Sequence, residues 1–570
     1  MLLLTFPALA PAQDDDEARR HGIFIDTLDV SLVNVEVFAT RDGVPVTDLE
    51  IDDFVVYDDG EPVEITNFFR VEGGRRVEGD IESLGDEEGS GDALTIQEPS
   101  TLVILVDQAF ISPVGRKLVF DRLEGQLERL LSDGTSVLVA SKYRSLKIEQ
   151  TLTNDPELVM ATLDRLSEVA TLDYSSDIRT VVQGIQRGVA AAGRQAAPGS
   201  DTGALADSTS EIDARTTFQD AKNLSQQMYG DVLESLRIVR RFMGSLAGLP
   251  GRKALLYVAD RMPVRSGELV WRAWYEKFGQ SYGSQFGAPS VDAALNEYDA
   301  TAQVQRLIAE ASANRVSIYP VGAGGSAGPN LFGAESEGFD RPASAEIRGI
   351  ESDQGLHWLA AGTGGRAAVG RGDIAPFIDR LRDDLSNYYS LAYASPHRGD
   401  GDVHEIKVEV RDPDVDLRFL SKYRDVSNEQ AMESRNLSAL VLGTGENPLD
   451  VRLVVGEARK QRDGTFKVPL TVQIPVANLV LLPDARNHRG ELSVQLVVRD
   501  ERGRFSDPAS LQIPIEIPHA GLLQALSQSA EYKTELILRG GRQRIAVGVH
   551  DDLGAVAATV HRDLDVGSEG

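Results

Sequence analysis

Two short runs constrain this chain more than anything else in it. Leu102-Val103-Ile104-Leu105-Val106 is closed by Asp107, and Ala254-Leu255-Leu256-Tyr257-Val258-Ala259 is closed by Asp260. Neither run alternates. A strand with one wet face alternates apolar and polar residues, so an unbroken aliphatic run belongs to a strand covered on both faces, as in a parallel sheet between helices. Val137-Leu138-Val139-Ala140 and VSIYPV at 316–321 are two more such runs. Helical periodicities lie between them: Leu123, Leu127 and Leu130; Leu158, Leu163 and Leu166; and Met228, Val232, Leu236, Val239, Met243 and Leu246. Each set places its apolar residues on one helical face. Strand alternating with helix predicts a central α/β doubly wound (Rossmann-like) domain. Tyr388 to Ala394 and Val403 to Val410 are expected as its late strands.

The flanks read differently. Leu28 to Val37 alternates, and Phe54 to Tyr57 and Ile65 to Val71 follow after turns, so 26–73 is expected to form a small antiparallel, Ig-like β module. Residues 74–98 are acidic and Gly/Ser-rich, the composition of a flexible linker. The α/β domain is expected over 99–425, with loop insertions near 190–225, 262–300 and 322–350. A linker at 426–445 precedes a C-terminal Ig-like β-sandwich at 446–566, whose seven short strands are separated by turns such as Arg462-Asp463-Gly464.

Composition removes several chemistries. There is no cysteine among the 570 residues, which excludes disulfides, thiolate metal sites and cysteine nucleophiles. The 58 Lys+Arg against 88 Asp+Glu leave a net charge of −30, which opposes binding to nucleic acid or anionic lipid. A basic partner or a divalent cation remains compatible with that charge. At the N-terminus, apolar Leu2 to Ala10 ends in small residues, so 1–13 reads as the remnant of a signal peptide, with an acidic linker at 14–25. The expectation is an exported protein: periplasmic, cell-surface or secreted. No segment reads as a transmembrane span.

TLVILVDQAF (101–110), LPGRKALLYVAD (249–260), DLSNYYSLAYASP (384–396) and DLRFLSKY (416–423) together resemble a von Willebrand factor A domain, and more narrowly the bacterial VWFA-related family of acidobacterial type. VSLVNVEVFATRDGVPVTDLEIDDFVVYDDGEPVEITNF (30–68) is similar to the β module that precedes the A domain in that family. The resemblance implies a divalent-cation site at the sheet's carboxyl edge: Asp-x-Ser-x-Ser after the first strand, a threonine in a later loop, and an aspartate after a further strand. The matching positions here are Asp107, Ala109 and Ile111, so both hydroxyls are lost. Ser112 lies one residue out of register, Asp260 matches the last position, and Ser175 and Ser176 are the candidates in the threonine region. Mg²⁺ wants a near-octahedral set of hard oxygens, which Asp107, Ser112 and Asp260 supply only as a degenerate set. The expectation is no cofactor, with Mg²⁺ as the ion left open. The plainer reading makes Asp107 and Asp260 helix caps or loop anchors.

Three other constellations bear on function. Gly324-Gly325-Ser326-Ala327-Gly328 matches the G-x-S-x-G elbow of α/β hydrolases, but Pro329 and a glycine-containing loop follow where a helix is required. None of the eight histidines shows H-x-x-x-H spacing, and His404-Glu405 sits in an alternating strand whose neighbours face opposite ways. Trp271, Trp274, Tyr275 and Phe278 concentrate aromatics in a chain that has only 6% of them. They are read either as a partner-binding platform or as an insertion packed on its own domain. The leading expectation is a non-enzymatic protein–protein interaction or adhesion-type protein with a protein partner. A metal-ion-dependent adhesion module and a serine hydrolase using Ser326 are the alternatives.

Overall fold

The computed structural model describes residues 32–77, 97–131, 134–171, 174–187, 203–287, 290–322, 354–369 and 374–567. The leader (1–13), the acidic linker (14–25), most of the 74–98 linker, Ser326 and nearly all of the 322–350 insertion lie outside the described residues.

The protein is a mixed α/β, multidomain structure around a parallel sheet. Its strands, in spatial order, are Ala368–Val369, Val316–Gly322, Arg252–Val258, Ser100–Asp107 and Thr135–Lys142, with Leu146–Thr153 as an antiparallel edge. Every residue of Ser100–Asp107 and Arg252–Val258 is buried, as the unbroken runs require. Successive side chains serve opposite faces. Val103, Leu105, Leu255 and Tyr257 pack under Val232, Leu236, Val239, Met243 and Leu246 of the long helix Gly203–Leu246. Leu102, Ile104, Val106 and Leu256 pack against the helices Pro113–Glu124, Pro156–Ser167 and Ala375–Ser386. Each such aliphatic side chain contributes about 1.5–3 kcal/mol by leaving water. The first strand lies between the second and the third, so chain direction across the sheet reverses beside Asp107.

Tyr388–Ala394 and Val403–Val410 do not join this sheet. Tyr388–Ala394 pairs antiparallel with Leu32–Arg41 (Leu32 opposite Ala394, Val37 opposite Tyr389) and with Asn67–Glu72. Val403–Val410 pairs with Phe54–Asp58, Ile406 opposite Asp58. The α/β domain is therefore inserted between two halves of one β module, residues 32–77 and 388–424, whose two sheets share the core of Val35, Val37, Val56, Leu391, Ile406 and Val408. The alternation of Val403–Val410, with His404, Ile406 and Val408 buried and Glu405, Lys407 and Glu409 exposed, marks a strand with one wet face. Tyr388–Ala394 is unbroken for another reason. Its second face is covered too, where Tyr388 and Phe38 lie under the Arg252 guanidinium, 4.2 Å above the Phe38 ring. Arg252 also pairs with Glu36 at 3.1 Å, and Arg418 with Asp384 at 2.6 Å, which locks the module to the amino edge of the parallel sheet. The module also extends past residue 73, since Arg75–Val77 pairs with Asn67–Glu72.

Other boundaries shift. The 190–225 insertion is helical from Gly203, and 262–300 carries the helices Glu268–Trp274 and Val291–Leu295. The 426–445 linker is the helix Asn428–Leu442, capped by Ser427 and Gln430 and wedged by buried Met432, Asn436 and Leu440. Ser438 Oγ donates to the Ser245 carbonyl at 2.7 Å, and Asn436 Nδ2 to Gln495 Oε1 at 3.0 Å, so the helix joins the α/β domain to the C-terminal strands. Those strands form two antiparallel sheets around a single core that includes Leu470, Val472, Val494 and Val547. No described helix is long and apolar enough to cross a membrane.

Candidate functional site

Open α/β sheets bind ligands at the carboxyl ends of their strands, where chain direction reverses. Asp107 ends the first strand at that place and is fully buried. The strand register sets Lys142 directly opposite it. Asp107 Oδ1 accepts from Lys142 Nζ at 3.1 Å and from the Ala109 N–H at 3.0 Å. Its Oδ2 accepts from the hydroxyls of Tyr257 at 2.6 Å and Ser235 at 3.0 Å. Lys142 Nζ also donates to Ser235 Oγ at 2.6 Å and lies 5.1 Å from the centre of the Phe110 ring. A carboxylate offers about four acceptor positions, and here all four have protein donors. Burial, and then the Asp107 charge, push the Tyr257 hydroxyl well above its ordinary value, so it remains a donor.

Asp260 holds the start of the next helix. Its Oδ2 accepts from the Ser112 N–H at 2.7 Å and from Ser112 Oγ at 2.6 Å. Ser112 Oγ in turn accepts from the Gly115 N–H at 3.0 Å, as the cap of the helix Pro113–Glu124. A Cβ at Gly115 would sit 2.3 Å from Asp260 Oδ1, so the helix start is built around that carboxylate. Asp107 thus accepts from the Lys142, Ser235 and Tyr257 network, while Ser112 and Asp260 bond to each other at the helix start. Ser175 and Ser176 start the helix Ser175–Arg187, and their side chains lie outside what is described.

The aromatic cluster is not a surface. Trp271 is 2% exposed, Trp274 0% and Phe278 2%, and Tyr275 is half-buried. With Tyr174, Val182, Leu224, Met228 and Tyr298 they form a hydrophobic core of their own beneath the insertion. Trp274 Nε1 donates to the Ala214 carbonyl at 3.1 Å. A helical insertion of this size must bury its own apolar stripe, and the large aromatics do so.

Beside that core, a small cleft of about 90 Å³ opens at the carboxyl edge. Phe110, Met228, Leu269 and Val270 give it apolar walls, and Tyr174, Arg261, Arg265 and Glu268 stand among its lining residues. Phe110 lines the cleft while its ring covers the Lys142 ammonium. Tyr174 donates its hydroxyl to Asp231, whose carboxyl is raised by burial against the opposing charges of Lys142 and Arg144. Lys142, Ser235 and Tyr257 carry no motif and become visible only once strands are in register. Among the described residues, one group of histidines and carboxylates gathers its nitrogen and oxygen atoms within 4.8 Å of one another, and it lies in the β module: Asp58, Asp59, His397 and His404.

No protein-family model matches the chain, and no curated protein matches it. Among solved structures, an aerotolerance-related membrane protein from Bacteroides fragilis aligns at 8% identity over 50% of this chain and 98% of its own, with a TM-score of 0.21. BatB from Bacteroides thetaiotaomicron aligns at 9% over 50% and 97%, TM-score 0.21. A variant of the PilB minor pilin from Streptococcus sanguinis aligns at 10% over 63% and 87%, TM-score 0.23. Scores this low carry no argument about what the chain does.

Proposed function

We propose that this is an exported, non-enzymatic protein-interaction protein. Its α/β domain would be of the von Willebrand factor A type and would hold its partner at the carboxyl edge of the parallel sheet with no metal there. The observation that carries the reading is the cleft beside Phe110, at the one place where an open α/β sheet offers a binding crevice. Its apolar walls suit a buried side-chain anchor, and Arg261 and Arg265, the latter paired with Asp292 at 2.8 Å, bring positive charge beside that anchor. Lys142 supports the metal-free part, because its ammonium nitrogen lies 3.1 Å from the aspartate that the family resemblance assigns to a cation. Export rests on the Leu2–Ala10 pattern.

Peptide display against the intact chain tests the reading. Selected binders are expected to share an apolar residue next to an acidic one, and to lose at least tenfold in affinity on Leu269→Asp, at a half-buried wall position. Binders that hold the Leu269→Asp protein as tightly as the original would refute the cleft as the binding face.

A further inference from the structure

The C-terminal strands leave one long edge open, independent of the cleft. Ser529–Leu538 pairs along its whole length with Phe466–Pro475, Ser529 opposite Pro475 and Leu538 opposite Phe466. Among the described residues no strand pairs its other side. Two bonds fix the direction of its backbone groups. The Val476 N–H donates to the carbonyl of Gln528, the next residue opposite, at 3.0 Å, and the Pro469 carbonyl turns away to accept from the Gly456 N–H at 2.8 Å. Backbone direction alternates along an antiparallel pair. Ala530, Tyr532, Thr534 and Leu536 therefore bond inward, and Glu531, Lys533, Glu535 and Ile537 aim their N–H and C=O groups at the open side. Such an edge is a template for another strand. In the other sheet, the edge strand Ala509–Pro518 is blunted by Pro514 and Pro518, which have no N–H to offer. Ser529–Leu538 contains no proline.

The side chains suit a copy of the same strand. Ala530, Tyr532 and Leu536 pack against the core yet stay half-buried, so the apolar surface continues past the edge. On the opposite face Ile537 is 71% exposed. Lys533 pairs with Glu531 of its own strand at 3.0 Å, and Glu535 pairs with Lys467 of the neighbouring strand. Exposed pairs of this kind contribute little, so they can be exchanged for others. In a twofold contact residue i meets residue j and j meets i. Only outward-directed residues can exchange backbone bonds, so odd positions must oppose odd positions. An axis at Lys533 sets lysine against lysine and Glu531 against Glu535, and an axis at Glu535 sets glutamate against glutamate. An axis at Tyr532 sets Glu531 opposite Lys533 but leaves Leu536 beyond the partner strand's end. An axis at Thr534 sets Lys533 opposite Glu535 and Tyr532 opposite Leu536, and engages the strand from Ala530 to Leu538. Opposite charges and apolar side chains facing each other across strands both stabilise the pairing.

We propose that Ser529–Leu538 pairs antiparallel with the same strand of a second copy, about an axis at Thr534, and so continues one sheet across a homodimer. One strand pair is a small interface, so half-dimerisation is expected on the order of 10 µM.

The test is sedimentation equilibrium of the full chain, from about one tenth to about ten times that concentration. The mass is expected to rise from monomer to dimer across the range. Lys533→Pro removes a donor from the open side alone, and Lys533→Glu places a second carboxylate opposite Glu535. Each should weaken association at least tenfold, with an unchanged thermal midpoint showing that the fold is kept. Combining Lys533→Glu with Glu535→Lys reverses both charges of the pair and should restore most of the association, a recovery that damage to the fold would not give. A monomer across the whole range, association undiminished in both single variants, or no recovery in the double variant would overturn the pairing.

Discussion

The two ends of the parallel sheet each bury a lysine, on opposite terms. Lys142 closes a strand at the carboxyl edge and Lys253 opens one at the amino edge, and both are 1% exposed. Lys142 meets a carboxylate, a hydroxyl and an aromatic face. Lys253 donates to the Leu249 carbonyl at 3.0 Å, and among the described residues no carboxylate lies within ion-pair distance of it. Burial, and then the charge of Arg315, pull its ammonium down to about 7, against the weaker opposing effect of Glu36, which is engaged by Arg252. Burial without a carboxylate partner disfavours the charged form of Lys253. The carboxyl edge instead carries a buried Lys142–Asp107 pair at the position where the resembled family places an ion.

The largest effect should come from breaking the paired lysine. Lys142→Met leaves Asp107 buried without its counter-charge and should cost about 3–5 kcal/mol in chemical denaturation. Adding Asp107→Asn to that variant should recover much of the loss, and a single-variant cost below about 1 kcal/mol would break the comparison. Lys253→Met should act in the other direction, stabilising the protein by about 1–3 kcal/mol at pH 7 after the lost carbonyl bond is discounted. The sign follows from linkage. The folded lysine titrates near 7 and the unfolded one near 10.5, so between those values only the unfolded chain holds the proton and the original protein gains stability as pH rises. The advantage of Lys253→Met should therefore shrink when the denaturation is repeated at pH 9.5. The smallest effect belongs to the helix cap. Ser112→Ala should cost about 1 kcal/mol by thermal or chemical melting and leave the Lys142 pair untouched.

The sheet was legible because double burial writes an unbroken apolar run, and the four principal strands were read from it. The same rule misplaced Tyr388–Ala394, a strand covered on both faces in a different, antiparallel sheet. Its neighbour Val403–Val410 carried the correcting signal in its alternation. The loss of the family's hydroxyls at Ala109 and Ile111 was plain in sequence, but what replaces them was not. Lys142 meets Asp107 through strand register, and Ser235 and Tyr257 reach it from a helix and a strand far along the chain. The aromatic segment left two readings open, because composition does not distinguish a hot spot from the private core of an insertion, and burial of Trp271, Trp274 and Phe278 favours the second. His397 and His404 stood without a spacing motif because their partners, Asp58 and Asp59, come from before the inserted domain.

The central claim is that Lys142 stands in for a divalent cation at Asp107. It is tested most directly by calorimetric titration with Mg²⁺ and Mn²⁺ on the intact chain. The account predicts no saturable binding, and the same trace when Asp107→Asn is added. Saturable binding that Asp107→Asn abolishes would contradict it.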